Sequence, residues 1–275
     1  MAVNFQTLAP FGVELIGVNL STVGDAYIDK LKHLLAHNGV GIIRKQSMSD
    51  ADFVTFLQRL GSLTFTAGET PVPQQPRLNL VSNVGRRCSP KSVFHTDTSY
   101  IAQPPAYTAL KAVSLPECGG ETLFSNQYRA FETLPTSIKK KLANATVLHV
   151  ASGVTLDHDQ ESQSWHPLFR RHPLSGQIAL FLSTPDRCQA IKGLKLEESQ
   201  RVIRLLYQHS IRSYRLYRHR WQPGDLVIWD DRCTMHRADH SQVVGDRVLH
   251  RGLIAGEAPI EAALEQNSIG QLPDW

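Results

Sequence analysis

The sequence predicts a mainly β protein with flanking helices, arranged as an antiparallel sandwich or barrel. Short β-like runs, separated by turns that carry Pro or Gly, dominate the chain after residue 61. These runs do not alternate regularly with helices, which argues against a doubly wound parallel sheet. No internal repeat or low-complexity linker interrupts the 275 residues. We therefore expect a single domain over residues 1–275, with a core of residues 7–256 and a C-terminal tail.

Two helices and one buried strand are predicted before this β-rich part. Residues 25–38 carry Ile and Leu at helical spacing, and Gly39 follows as a stop signal. The apolar run 40–44 is typical of a buried strand. Ser49 is a good N-cap for a second helix, which we expect to end at Gly61.

The β-rich part contains three clear strand patterns and two helical stretches. Alternating or apolar runs predict strands at 107–113, 177–182 and 225–229. Helical patterns occur around 135–143 and 196–212.

Composition excludes several classes of protein. No apolar run approaches the roughly 18 residues that a membrane helix needs, and the start of the chain lacks a signal-peptide pattern. We therefore expect a cytoplasmic protein with no membrane partner. The four cysteines, Cys88, Cys118, Cys188 and Cys233, form no CxxC pair, which favours reduced thiols over a zinc knuckle or a disulfide framework.

The basic residues give no sign of a nucleic-acid site. The formal net charge is +4, but Lys and Arg are scattered along the chain. An anionic small substrate would explain a few arginines equally well, so we expect no nucleic-acid partner.

A His-x-Asp pair is the first candidate for chemistry. His95 and Asp97 are two residues apart, so both side chains would point to one face if this segment were a strand. An imidazole and a carboxylate can then share one metal ion. Taken alone the pattern is weak, because a chain with 12 histidines contains it by chance about as often as not. The alternative is an ordinary histidine near a carboxylate.

A third candidate ligand strengthens the metal hypothesis. His236 follows the predicted strand 225–229 and precedes Arg237. Two histidines and one carboxylate on one side of a metal leave the other positions open, as in non-haem Fe(II) oxygenases. Zinc accepts the same ligand types, so these residues alone do not choose the metal.

A candidate anion site accompanies the metal ligands. Arg247 and Arg251 are four residues apart, which would place them on one face of a strand. A guanidinium group binds a carboxylate through a planar fork. Thr122, after the Gly119–Gly120 turn, offers a hydroxyl group for the same carboxylate. The alternative is two surface arginines and a turn threonine, which leaves their joint occurrence with the His and Asp pattern unexplained.

Several sequence blocks together identify a family resemblance. The chain resembles the taurine dioxygenase-like branch of the Fe(II)/2-oxoglutarate oxygenases. The likeness extends from PFGVELIGVNLS through FHTDTSY, GGETLFSN, HPLFRRHPLSG and WQPGDLVIWDDRCTMHRA to RVLHRGLIAGE. Only about the last twenty residues lack a match.

The resemblance implies a double-stranded β-helix, or jelly roll, that uses Fe(II), 2-oxoglutarate and O2. It implies His95, Asp97 and His236 as iron ligands, with Thr122 and Arg247 holding the far carboxylate of 2-oxoglutarate. Succinate and CO2 would be released while a C–H bond is hydroxylated, and desaturation stays open. Two departures from the family are Phe94, usually tryptophan or a similar aromatic residue, and Asp231, usually asparagine; neither removes a ligand.

The substrate and the assembly are less defined by the sequence. We expect a small anionic organic acid, bound by Arg251 and Lys91, with Thr98 and Phe181 as further walls of the substrate site. The resemblance implies that Arg251 faces the substrate or else helps to bind the co-substrate. The alternative for Lys91 is a solvated lysine in a loop. The family tends to form dimers or tetramers, so we expect a homo-oligomer. Two other functions are retained as alternatives: a metal-bearing jelly roll with another activity, such as zinc hydrolysis, and a catalytically inactive ligand-binding barrel.

Overall fold

Short strands interspersed with helices make up the structure, a computed structural model that describes residues 3–85 and 92–264. Its strands are β1 (Phe5–Thr7), β2 (Val13–Leu15), β3 (Val40–Ile43), β4 (Leu63–Thr64), β5 (Pro71–Val72), β6 (Gln75–Ser82), β7 (Tyr107–Ser114), β8 (Thr122–Asn126), β9 (Thr146–Val150), β10 (Gln163–Pro167), β11 (Phe169–Arg171), β12 (Ile178–Leu180), β13 (Cys188–Ile191), β14 (Leu216–His219), β15 (Leu226–Asp230), β16 (Thr234–Ala238), β17 (Val248–Ile254) and β18 (Ile260–Glu261). Its α-helices are α1 (Asp25–Asn38), α2 (Asp50–Leu60), α3 (Gln127–Glu132), α4 (Thr136–Lys141) and α5 (Leu196–Ser210), and a 3-10 turn covers Ser213–Arg215.

Two facing sheets form the centre of the fold. The large sheet has the order β1-β2-β3-β15-β7-β17-β6-β5, with β4 also paired to β17, and the small sheet has the order β14-β8-β16. Apolar side chains from the inner faces of both sheets pack into one cluster, including Leu110, Trp229 and Leu249 from the large sheet and Phe124 and Tyr217 from the small one. Two sheets with a shared apolar interior are the arrangement of a jelly roll, so the predicted fold class is confirmed.

Helices α1 and α2 cover the outer face of the large sheet. Leu31, Leu35, Phe53 and Leu57 pack there against side chains such as Ile228. Both predicted helix limits are confirmed, because the structure contains the signals that the sequence suggested. Ser49 and Asp52 form a capping box at the start of α2. Gly39 ends α1 with a φ of 74°, a conformation that favours glycine.

The remaining helices pack around two further three-stranded sheets, β10-β9-β13 and β12-β11-β18. Leu168 and Phe169 belong to the same buried apolar cluster as Val202 and Leu206 of α5. The predicted elements are present with shorter limits: the run 177–182 forms only β12, and the helical stretches end at Lys141 and Ser210. Among the described helices, none combines the length and the apolar composition needed to cross a bilayer.

The predicted strand at the His-x-Asp segment is wrong. His95 forms only an isolated bridge with His236, in which each backbone N–H donates to the other's carbonyl oxygen at 2.9 and 3.0 Å. Asp97 already lies in a turn, and Thr98 has a φ of 45°. Residue alternation along a strand therefore does not explain why the two ligands meet.

Both arginines of the predicted pair line one cavity, as residues on one face of a strand do. Arg247 lies just before β17, and the pairing of β17 with β7 is shifted between Val248 and Leu249. The extra residue is Val113 of β7, and β17 stays in regular register with β6, so the alternation of side chains along β17 is kept. Arg251 lies within the strand, opposite Leu110 of β7.

Candidate active site

His95, Asp97 and His236 converge at one point between the two sheets. One ligand atom from each lies within 4.8 Å of the others. Nε2 of His95 is 3.4 Å from Oδ1 of Asp97, and Nε2 of His236 is 3.9 Å from Oδ2 of the same carboxylate. Asp97 and His236 are buried, whereas the side chain of His95 is 28% exposed. The three side chains could therefore hold one metal ion.

The hydrogen bonds of His95 test whether a metal ion fits. Nδ1 of His95 lies 2.9 Å from the carbonyl oxygen of Val93. A carbonyl only accepts, so Nδ1 carries a proton, and Nε2 is the ring nitrogen that faces Asp97. Nε2 and the Asp97 carboxylate oxygen are 3.4 Å apart, so a metal ion bound by both would take the place of a proton on Nε2. The backbone contact thus selects the tautomer that a metal ligand requires.

His236 is also suited to metal binding. Burial, and then the nearby His95, lower the pKa of His236 to about 3. The imidazole is therefore neutral near pH 7 and offers a lone pair, and its Nδ1 is buried without a partner among the described residues.

Two side chains of the large sheet hold the carboxylate of Asp97. Nη1 of Arg251 is 3.4 Å from Oδ1, and the Thr108 hydroxyl is 3.1 Å from Oδ2. Burial alone would raise the pKa of Asp97, but the nearby positive charge of Arg251 outweighs burial and helps to hold that pKa well below its usual range. Asp97 is therefore ionised, as a metal ligand must be.

Asp231 forms a second buried carboxyl group next to Thr108. Its Oδ2 is 2.6 Å from the Thr108 hydroxyl, and its Oδ1 accepts from Nε1 of Trp229 at 2.9 Å. Thr108 has one proton for two carboxyl groups, Asp97 and Asp231. Burial, and then the negative charge of Asp97, raise the pKa of Asp231 well above its usual value. Asp231 can therefore stay protonated and donate to Thr108, which in turn donates to Asp97.

The metal ligands open into one cavity of about 170 Å³. Predicted residues that line it include two metal ligands, the candidate co-substrate residues and the candidate substrate arginine: His95, His236, Thr122, Arg247 and Arg251. Its apolar walls include Leu80, Val81 and Leu110, and Glu69 also lines it. The structure therefore brings the predicted metal and anion sites into one space.

Arg247 is a buried cation without a counter-ion among the described residues. It is 2% exposed, and its Nε donates to the Gly120 carbonyl oxygen at 2.8 Å. Its Nη2 donates to the Thr122 hydroxyl at 3.3 Å. Burial lowers the pKa of Arg247 to about 10. Such a group favours an anionic ligand, because a buried charge is stable only when it is paired.

The turn before β8 gives Arg247 its position. Gly120 has a φ of 75°, and a Cβ atom there would lie 2.9 Å from Cδ of Arg247. Glycine therefore allows both the turn and the close approach of the arginine. The anion site therefore depends on the absence of a side chain at Gly120.

Sheet register relates the anion site to the metal ligands. In the small sheet, Thr122 pairs with Ala238 and Phe124 pairs with His236. Side chains two residues apart on a strand share a face, so Thr122 and His236 lie on the same face of this sheet. A ligand that contacts the Thr122 hydroxyl therefore lies beside the metal ligands.

Two of the other predicted substrate residues, Thr98 and Phe181, do not line this cavity. Lys91 lies outside the described residues. The Thr98 hydroxyl contacts Thr66 at 3.2 Å, and Thr98 is not among the residues that line the cavity. Phe181 is buried, stacks on His149 and packs under the guanidinium of Arg170, so it too is not part of the lining.

Four functional candidates were missed by the sequence analysis. They are the side chains that contact the predicted residues from distant parts of the chain: Glu69, Thr108, Trp221 and Asp231. No motif spacing connects them to the metal ligands. Only the departure from asparagine at Asp231 drew attention to one of them.

Comparison with known proteins agrees with this geometry. The sequence profile of the family described as "Taurine catabolism dioxygenase TauD, TfdA family" matches residues 4–253. An alpha-ketoglutarate-dependent sulfonate dioxygenase of Saccharomyces cerevisiae is 29% identical over 87% of this chain, which spans 62% of that protein. An alpha-ketoglutarate-dependent 2,4-dichlorophenoxyacetate dioxygenase of Cupriavidus pinatubonensis is 26% identical, over 90% of this chain and 95% of the relative.

A solved structure supports the same assignment. The crystal structure of a taurine dioxygenase from Burkholderia xenovorans superposes with a TM-score of 0.83 and 26% sequence identity, over 95% of this chain and 93% of that one. Sequence and fold therefore agree over nearly the whole length. The chain belongs to the taurine catabolism dioxygenase TauD, TfdA family.

Proposed function

We propose that the protein is an Fe(II)- and 2-oxoglutarate-dependent dioxygenase that oxidises a C–H bond of a small anionic organic acid. Succinate and CO2 are the co-products. The observation that carries this proposal is the buried Arg247, which shares one cavity with His95 and His236. A metal site alone would suit many activities, whereas a second site for a carboxylate beside it suits a dicarboxylate co-substrate.

Each group of side chains has a distinct role. His95, Asp97 and His236 would hold the iron beside the cavity. Arg247 and Thr122 bind the far carboxylate of 2-oxoglutarate. When bound, Fe(II) and 2-oxoglutarate supply the activation of O2 and the oxidation of the C–H bond. The apolar walls Leu80 and Leu110 limit the access of water.

The substrate class follows from Arg251 and from the relatives. The yeast relative is named for sulfonates and the Cupriavidus relative for a phenoxyacetate, and both substrates are small organic anions. Arg251 lines the cavity beside the metal ligands, and we assign it to the anionic group of the substrate. Lys91 stays a prediction, as do Thr98 and Phe181, which the cavity geometry does not favour.

Assembly and location complete the proposal. We propose that residues 1–275 act as one domain, in a homo-oligomer located in the cytoplasm. Light scattering at several protein concentrations tests the oligomer. A monomer throughout would refute it.

A substrate screen tests the function. The protein is supplied with Fe(II), 2-oxoglutarate and a set of small sulfonates, sulfate esters and aryloxy acids, and succinate is measured. We expect at least one acid to stimulate succinate release above the substrate-free rate. Tight stoichiometric zinc binding together with no succinate from any acid would favour the zinc hydrolase alternative instead.

A further inference from the structure

The hydroxyl group of Thr122 receives two hydrogen bonds. Nε1 of Trp221 donates to it at 3.0 Å, and Nη2 of Arg247 donates at 3.3 Å. Indole and guanidinium nitrogens are donors only, so the oxygen of Thr122 must accept from both. Both of its acceptor positions are then used, and its own proton has to be donated. Among the described residues, we find no acceptor for that proton.

The free proton faces the place where an anion is expected. Thr122 lines the cavity together with Arg247 and His236. A hydroxyl that already accepts twice cannot accept a third time, so it can only act as a donor to a ligand there. Donation to a carboxylate is the strongest hydrogen bond that it can form. A free hydroxyl group could either donate to a ligand or accept from it. The hydrogen bond from Trp221 therefore leaves the Thr122 hydroxyl able only to donate.

The position of Trp221 follows from the register of β14 with β8 and from the packing of its ring. His219 of β14 pairs in register with Thr122 of β8, and Trp221 follows two residues later. The indole packs edge-on against the His219 ring, with the ring centroids 4.7 Å apart. Nε2 of His219 lies 3.1 Å from Oδ2 of Asp225, and that oxygen accepts from the backbone N–H of Gln222. The indole N–H is thus directed at Thr122 by the turn between β14 and β15.

We propose that Trp221 is a positioning residue for the co-substrate, which orients the Thr122 hydroxyl as a donor to the far carboxylate of 2-oxoglutarate. This inference rests on the proposed function. It adds that the affinity for the dicarboxylate depends on one indole N–H outside the cavity lining. Binding of the end of 2-oxoglutarate that chelates the metal should not depend on this N–H.

Equilibrium binding to the metal-loaded protein without O2 tests the proposal. Trp221→Phe removes the N–H and keeps an aromatic ring. We expect the dissociation constant for 2-oxoglutarate to rise about three- to tenfold, the effect of one neutral hydrogen bond. The dissociation constant for 2-oxobutyrate, which lacks the far carboxylate, should be unchanged. Trp165→Phe, on an exposed tryptophan of β10, is the matched control.

A double-mutant cycle separates positioning from a general structural effect. In a Thr122→Val background no hydroxyl is left to orient, so Trp221→Phe should have no further effect on 2-oxoglutarate affinity. An equal loss of affinity in both backgrounds, or an equal loss for both oxo acids, would overturn the inference. Should Trp221→Phe fold poorly, benzothienylalanine at position 221 replaces only the indole N–H by sulfur and is tested in the same way.

The two proposals fail in different ways. Wild-type protein that does not bind 2-oxoglutarate at all would refute the proposed function. Wild-type protein that binds 2-oxoglutarate while the Trp221 variants bind it equally well would refute only the role of Trp221.

Discussion

Nη1 of Arg251 lies 3.4 Å from Oδ1 of Asp97. The arginine assigned to the substrate therefore also contacts a candidate metal ligand. Its Nη2 is 3.5 Å from Oε1 of Glu69, so two carboxylates share this guanidinium before any substrate binds. An incoming anion has to compete with Glu69, whose side chain is 32% exposed and lines the cavity.

Arg251→Ala should raise the substrate KM strongly, because the substrate loses its main cationic partner. Consumption of 2-oxoglutarate without substrate should persist at saturating Fe(II). Both rates are measured by succinate release over an iron titration. Loss of the substrate-free reaction as well would contradict a role for Arg251 that is limited to the substrate.

Arg247→Ala should weaken 2-oxoglutarate binding by roughly 2–5 kcal/mol, the cost of removing one partner of a buried charge pair. Arg247→Lys should recover only part of the loss, since an ammonium group cannot form the planar fork. The KM for 2-oxoglutarate is the measurement, with exposed Arg204→Ala as the control. Unchanged co-substrate affinity would mean that another residue holds the far carboxylate.

Asp231→Asn should be tolerated, because an amide can accept from Trp229 and donate to Thr108 as the protonated acid does. Burial and the charge of Asp97 raise the pKa of Asp231 in the folded protein. A raised pKa makes folding less favourable once the pH exceeds the unfolded value. Metal-free Asp231→Asn should therefore be more stable than wild type at pH 7, and its stability should fall less as the pH rises from acid to neutral.

Urea unfolding across pH measures this effect, with exposed Asp159→Asn as the control. Asp231→Leu should lose roughly 1–3 kcal/mol, because the Trp229 N–H is left without an acceptor. A loss of stability in Asp231→Asn similar to that in Asp231→Leu would show that Asp231 is ionised.

Glu257 should give the protein part of its acid sensitivity. Burial acts to raise the pKa of Glu257, but Arg232 and Arg170 outweigh it and lower that pKa to about 2. A lowered pKa stabilises the fold above the unfolded value of 4.5, and this contribution is lost as the pH falls towards 2. Glu257→Gln should therefore be less stable at pH 7 and should lose less stability over that acid range.

Urea unfolding across pH also measures the contribution of Glu257, with exposed Glu261→Gln as the control. We expect a loss of roughly 1–3 kcal/mol at pH 7, because the buried Arg170 loses its carboxylate. If the stability of Glu257→Gln depended on pH in the same way as that of wild type, the lowered pKa of Glu257 would be contradicted.

Local signals explain what the sequence could predict. Ser49 and Gly39 are residues whose backbone preferences act within a few positions, so the helices beside them were placed correctly. The candidate ligands were found because the chemistry of a metal restricts their residue types. The strand at His95 was wrong because its backbone pairs only with His236, far along the chain.

The side chains that support the ligands could not be predicted in this way. Thr108, Trp221 and Asp231 act through contacts between residues far apart in sequence, and each of these residue types is common in ordinary cores and turns. The register of β8 with β14 and β16 decides which of them meet. Such register depends on the whole fold and leaves no local pattern.

The most direct test of the account is succinate formation, measured with O2 uptake, in wild type and in His95→Ala and Asp97→Ala at saturating Fe(II). We predict one succinate per O2 in the wild type and no turnover in either variant. Thermal unfolding of the variants should be close to wild type, and exposed His158→Ala should remain active. Near-native succinate formation in His95→Ala or Asp97→Ala would contradict the metal site and, with it, the proposed function.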